Sequence, residues 1–216
     1  MPPHWLYWLS VASLCLAALS AILIIADLAR HPQKMAVMNF VWPITALYFG
    51  PVALWAYRAM GRPGGGHNEK PFWQTTFVGA THCGAGCTLG DIIAEFFVFY
   101  AGIVIGSAFG AELICDYILA FALGIAFQYF SIVPMRGLKP LQGVVAAVKA
   151  DTLSLTAFEI GLFAWMALMR FVFFHPPLHP NSPVFWFMMQ IGMIIGFGTT
   201  FPMNWWLVKS GVKEAM

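Results

Sequence analysis

The chain has 216 residues, 60% of them hydrophobic and only 9% charged, with a mean hydropathy of +0.76 and a formal net charge of +2. Soluble domains carry about 25% charged residues, so this composition cannot cover a water-facing surface and excludes a soluble globular protein. The small net charge, with no arginine-rich patch, also argues against nucleic acid as a partner.

A membrane-spanning helix takes about 20 apolar residues, and six segments qualify: 5–26, 37–57, 84–106, 110–133, 152–174 and 184–208. The expectation is an all-α fold, a polytopic membrane bundle of about six transmembrane helices over a single domain 1–216. Residues 58–73 then form a cytoplasmic linker. The first span has no basic leader and no small-x-small cleavage site, so it reads as a retained helix rather than a signal peptide. The second contains Trp42-Pro43 and Gly50-Pro51, and the last contains Phe201-Pro202-Met203-Asn204. Proline lacks an N–H and clashes with the preceding turn, so both helices should kink or unwind there.

The third span carries the densest chemistry, His82-Cys83-Gly84-Ala85-Gly86-Cys87-Thr88-Leu89-Gly90-Asp91 followed by Glu95. Cys83, Cys87, Asp91 and Glu95 recur at a spacing of four, which stacks them on one helical stripe. Soft thiolates suit copper(I) or zinc, imidazole from His82 extends the set, and Asp91 adds a hard ligand. The other reading of Cys83 and Cys87 is small-residue packing at a helix crossing. The fourth span holds Glu112 and Asp116, again four apart. The fifth holds Glu159, with Asp151 just ahead of the apolar run, where it could cap the helix. Asn39 and Asn204 are polar groups beside the proline breaks. The proline-rich run Phe174-His175-Pro176-Pro177-Leu178-His179 is a loop, and the methionines read as apolar filling.

Eight basic residues, Arg58, Arg62, Lys70, Arg136, Lys139, Lys149, Lys209 and Lys213, share one side of a six-span arrangement, against Arg30, Lys34 and Arg170 on the other. The positive-inside rule then places both termini in the cytoplasm and the cysteines at the cytoplasmic mouth of the third span. Trp5, Trp8, Trp42, Trp55, Trp73, Trp186, Trp205 and Trp206 fall near span ends, as interfacial belts require.

Acids inside a bilayer are expensive and normally mark a site or a pathway. No lysine or arginine lies in the inner halves of the six spans, so Asp91 and Glu95 must be protonated, share a proton or hold a cation. The leading expectation is a transporter or channel for a soft transition-metal cation of the copper or zinc class. In it His82, Cys83, Cys87, Asp91 and Glu95 form the metal site. Glu112, Asp116, Asp151, Glu159 and Asn204 line the path or couple protons. Two rivals remain: a membrane thiol- or quinone-linked oxidoreductase using Cys83 and Cys87, and a metal sensor or assembly partner that does not transport. The expected partners are the lipid bilayer, the metal ion and possible further copies of the chain. No nucleotide, haem-attachment or hydrolase motif points to an enzyme.

The string His82 to Asp91, with Lys149-Ala150-Asp151-Thr152-Leu153-Ser154 through Glu159 and Pro202-Met203-Asn204-Trp205-Trp206-Leu207, resembles a bacterial multi-pass membrane family of unknown function. The family is a numbered domain of unknown function, loosely associated with copper. The resemblance runs from Met35 to the C-terminus. It implies a multi-helix protein of the bacterial cytoplasmic membrane and supplies no activity or ligand.

Overall fold

A computed structural model describes residues 2–62 and 71–213. Residues 63–70, the middle of the expected linker and the site of Lys70, lie outside the described residues. The described chain is all-helical: α1 (His4–Arg30), α2 (Met38–Phe49), α3 (Pro51–Ala56), α4 (Phe72–Ala101), α5 (Ala108–Arg136), α6 (Pro140–Leu168) and α7 (Pro183–Lys209). Wider π-helical turns extend α3 over Tyr57–Gly61 and α6 over Met169–Phe173. Local sequence sets these ends. Ser107 and Ser182 accept the backbone N–H groups of Gly110 and Val184, Pro140 and Pro183 open α6 and α7, and Gly102 and Gly137 close α4 and α5 in the left-handed conformation.

Among the described residues five helices are long and apolar enough to cross a membrane: α1, α4, α5, α6 with its extension, and α7. The expected second span, 37–57, is a helical hairpin instead. α2 has 12 residues, about 18 Å of helix against a hydrocarbon core of about 30 Å. The chain reverses at Gly50, whose φ of 55° and ψ of −131° suit a residue without Cβ. It then returns so that both ends of the hairpin meet: the Gln33 side-chain amide donates to the Gly61 carbonyl at 2.7 Å. The rings of Trp42 and Tyr57 pack edge-to-face with centroids 5.6 Å apart. Gly50 lies against Ala17, midway along α1. Trp42 is therefore a fully buried core residue and not part of an interfacial belt.

The expected arrangement with both termini on one side also gives way. Pro2 and Pro3 line a cavity with Phe173 to His179, Asn181 and Ser182, the connection after α6, whereas Lys213 contacts Asp151 in the N-terminal half of α6, away from that connection. The first and last described residues thus sit at opposite ends of the bundle. Two other boundaries move. α4 opens at Phe72, not at 84, and α6 opens at Pro140, not at 152.

α4 is the central helix. Residues 78–88 are buried without interruption, three turns closed on every side, and α2, α5, α6 and α7 surround them. Its glycines make this possible. A Cβ on Gly86 would come within 2.7 Å of the Gly124 backbone, and one on Gly90 within 2.4 Å of the Ala120 backbone, so α4 and α5 touch main chain to main chain. α6 and α7 cross as closely at Gly161 and Gly196, where Thr199 and Thr200 donate to the carbonyls of Ala157 and Ser154, each at 2.6 Å. The outer faces carry exposed Leu16, Leu19, Ile22, Ile25, Ile118 and Ile160, the surface a lipid environment requires.

Candidate functional site

The early start of α4 moves the cysteines. His82, Cys83 and Cys87 sit around the middle of a 30-residue helix, not at its mouth, and each is fully buried. Successive helical positions are rotated by about 100°, so His82 does not share the Cys83–Cys87 stripe. It lies within charge range of Asp151 of α6 and 6.2 Å, ring to ring, from Phe127 of α5. The single ligand set expected from His82 to Glu95 is split into two neighbourhoods.

The central neighbourhood gathers α4, α5 and α6. The Cys83 and Cys87 thiols face each other, and the Cys87 thiol also faces the Glu159 carboxyl. Asp91 lies within charge range of Glu159, Asp116 and Glu95, and the Glu95 and Asp116 carboxyls are in hydrogen-bonding range of each other. Tyr48, on the last turn of α2, brings its hydroxyl over Gly84 and within charge range of both thiols. Asp91, Glu95, Asp116 and Glu159 are all at most 1% exposed. Both oxygens of Asp91, Asp116 and Glu159, and Oε1 of Glu95, meet no N–H or O–H donor among the described residues. A carboxylate only accepts hydrogen bonds, so facing carboxyls need a shared proton or a cation between them.

Each end of this chamber is closed by an ion pair. On one side Glu112, which faces Glu95, pairs with Arg170 at 3.4 Å, and the Arg170 guanidinium rests 5.3 Å from the Phe109 ring centre. Pro177 and Leu178 of the α6–α7 connection complete that end. On the other side the Lys213 ammonium reaches Asp151 Oδ1 at 2.8 Å, with both side chains at most 1% exposed. Ser154 donates to the same oxygen at 2.8 Å. Asn204 donates to Thr200, which in turn donates to the Ser154 carbonyl, so Asn204 reaches this end through two intermediaries. Fully buried Leu155 sits one turn from both Asp151 and Glu159 and separates the two neighbourhoods.

The structure therefore brings together Cys83, Cys87, Asp91, Glu95, Asp116 and Glu159, extends to Glu112, and sets His82, Asp151 and Asn204 apart. Asp151 is no N-cap, because α6 begins 11 residues earlier, at Pro140. Asn39 bonds Gln33 and Ala36 and shapes the turn into α2. Lys213 and Tyr48 were not expected at either site; the only sequence signal for Lys213 was a basic residue close behind a helix rich in buried polar groups. Among the described residues no group of three or more His, Cys, Asp and Glu side chains is arranged to hold a metal ion.

A family model described as Domain of unknown function (DUF4396) matches residues 72–213, from the start of α4 to Lys213. The chain belongs to that family. The match contains every histidine, cysteine and acid of the site and leaves out α1 and the α2–α3 hairpin with Tyr48, a narrower range than the resemblance from Met35 onward. No curated protein and no solved structure matches.

Proposed function

We propose that this DUF4396 protein is a membrane transporter or channel for a cation, which passes the central carboxylate chamber of α4, α5 and α6. One observation carries the reading. Four buried acids from three helices converge and form no ion pair with a basic side chain among the described residues; Arg170, which pairs with Glu112, comes within charge range of Glu95. Such an assembly is costly in a low-dielectric bundle unless a mobile cation or protons offset its charge. The adjacent Cys83 and Cys87 thiols favour a soft transition metal as cargo, copper or zinc in class, with the carboxyls taking the ion or its counter-proton. Tyr48 at the tip of the hairpin would cover the thiols.

The topology that fits has five crossings and a re-entrant hairpin. Among the described residues, Arg30, Lys34, Arg58, Arg62, Arg136, Lys139, Lys149, Lys209 and Lys213 all belong to the end of the bundle where the hairpin opens, and Arg170 alone to the other. Nine against one is a stronger bias than a six-span arrangement gives, and it puts the C-terminal end in the cytoplasm and the N-terminal end outside. The location is then a bacterial cytoplasmic membrane, in line with the family resemblance.

Thiol redox chemistry fits less well. Reactive thiols sit in electropositive, partly exposed surroundings, whereas Cys83 and Cys87 are fully buried beside carboxyls. Reconstitution in proteoliposomes, with zinc and copper(I) uptake followed by metal-sensitive dyes, tests the proposal. Uptake above empty liposomes that disappears in a folded Asp91→Asn variant is expected. A protein that moves neither metal nor protons overturns it.

A further inference from the structure

We infer that Asp151 and His82 form a second cation site, at the C-terminal end of the bundle, which the Lys213 ammonium fills as a tethered competitor. The geometry is that of a site, not of a simple ion pair. Asp151 uses Oδ1 for Lys213 and Ser154, but its Oδ2 has no hydrogen-bond partner among the described residues. That oxygen points toward Gly124, where a Cβ would stand 3.6 Å from it. Both ring nitrogens of His82 are also without partners, and the residue is fully buried. Buried ion pairs kept for stability have their remaining lone pairs satisfied; here a carboxylate oxygen and an imidazole within charge range of it are both left without a hydrogen-bond partner among the described residues.

Lys213 is the replaceable member. It lies beyond the end of α7 at Lys209, on a short turn in which the Val212 and Lys213 N–H groups share the Leu207 carbonyl. Withdrawing it breaks that turn and leaves every helix intact. Carboxylate and imidazole together suit a divalent cation of the zinc class, and such an ion would have to displace the ammonium to reach them. The site rests on the transport reading only in taking a metal cation as its occupant.

Zinc titration of the purified full-length protein tests this, with Cys83→Ser and Cys87→Ser in every version to remove thiol binding. Adding Lys213→Gln should tighten zinc binding by at least about tenfold and make the melting temperature rise with zinc. Adding Asp151→Asn as well should cancel both gains. A Lys213→Gln protein that binds zinc no better than its parent, or a gain that survives the loss of Asp151, overturns the site. Should Lys213→Gln not fold, wild-type protein answers the question: saturating zinc should speed acylation of the Lys213 amine, read by mass spectrometry, and an unchanged rate overturns the site. None of these readouts involves flux. Zinc binding at Asp151 in a protein that transports nothing would sink the transport reading and leave the site standing.

Discussion

Two sets of buried acids in this bundle are treated in opposite ways. Asp151 and Glu112, toward the two ends, are each met by a basic side chain, Lys213 at 2.8 Å and Arg170 at 3.4 Å. Asp91, Glu95, Asp116 and Glu159, between them, form no ion pair among the described residues, and only the Arg170 of the Glu112 pair comes within charge range of one of them, Glu95. The centre goes without such pairs although its acids are at most 1% exposed, against 17% for the Glu112 side chain. The difference separates acids that hold the bundle closed from acids that wait for a mobile charge.

The sharpest way to break that comparison is to remove one central acid. Asp91→Asn or Glu159→Gln should bring cation uptake in proteoliposomes down to that of empty liposomes while the protein still folds, because each removes charge from a cluster already in excess. Retained uptake in both variants would mean the central acids are only structural. A second test concerns the paired acids and has an expected asymmetry. Lys213→Gln leaves Asp151 without its ammonium partner inside the bundle, and should cost about 3–5 kcal/mol of stability. Asp151→Asn should cost clearly less, because the Lys213 tail can swing its charge back to water. Denaturation in detergent of both variants and of the double mutant reads the asymmetry; equal losses would show that Lys213 is not free to leave.

The fold class was legible in composition, and so was the helical stripe of α4, since a spacing of four has one meaning on a helix. The hairpin was not. Residues 37–57 match a crossing span in length and hydropathy, and Gly50-Pro51 looks the same whether the chain kinks or turns back. What decides between them is the meeting of residues 33 and 61, a long-range contact no local pattern encodes. His82 was grouped with the cysteines because it is next to Cys83 in sequence, yet one helical step turns it toward α6. Asp151 reads as a cap only if the helix starts at 152, where the apolar run begins; Pro140 opens it instead, and proline at the first helical position is a favoured start. The convergence of Asp116 and Glu159 on α4 needed the glycine contacts between α4 and α5, which a small-residue pattern suggests but does not orient.

That crossing gives the next prediction. Gly90→Ala puts a methyl 2.4 Å from the Ala120 backbone, where no side chain can move aside, so α4 and α5 must separate. Overpacking of this kind costs about 1–3 kcal/mol. Uptake should fall with it, since Asp91 and Asp116 face each other across the same crossing. Gly79→Ala, on the same helix with nothing within 4 Å of its added Cβ, should leave both stability and uptake unchanged. A comparable loss at the two positions would break the link between the glycine crossing and the acid chamber.

The smallest effect belongs to an acid outside the comparison. Asp27, near the end of α1, accepts from Tyr57 at 2.7 Å and from Arg62 at 2.9 and 3.1 Å, tying α1 to the returning arm of the hairpin. Its side chain is 26% exposed and that of Arg62 is 47%, so water already screens the pair. Asp27→Asn should therefore cost only about 0–1 kcal/mol, and less at high salt. Uptake should stay near wild type, because Asp27 has charged partners and lies at the mouth of the hairpin, a full half of α1 away from its tip at Ala17. A large loss of uptake from this exposed pair would move the cation path from the α4–α5–α6 chamber to the hairpin face. Pairing, more than burial, would then cease to mark which acids carry charge.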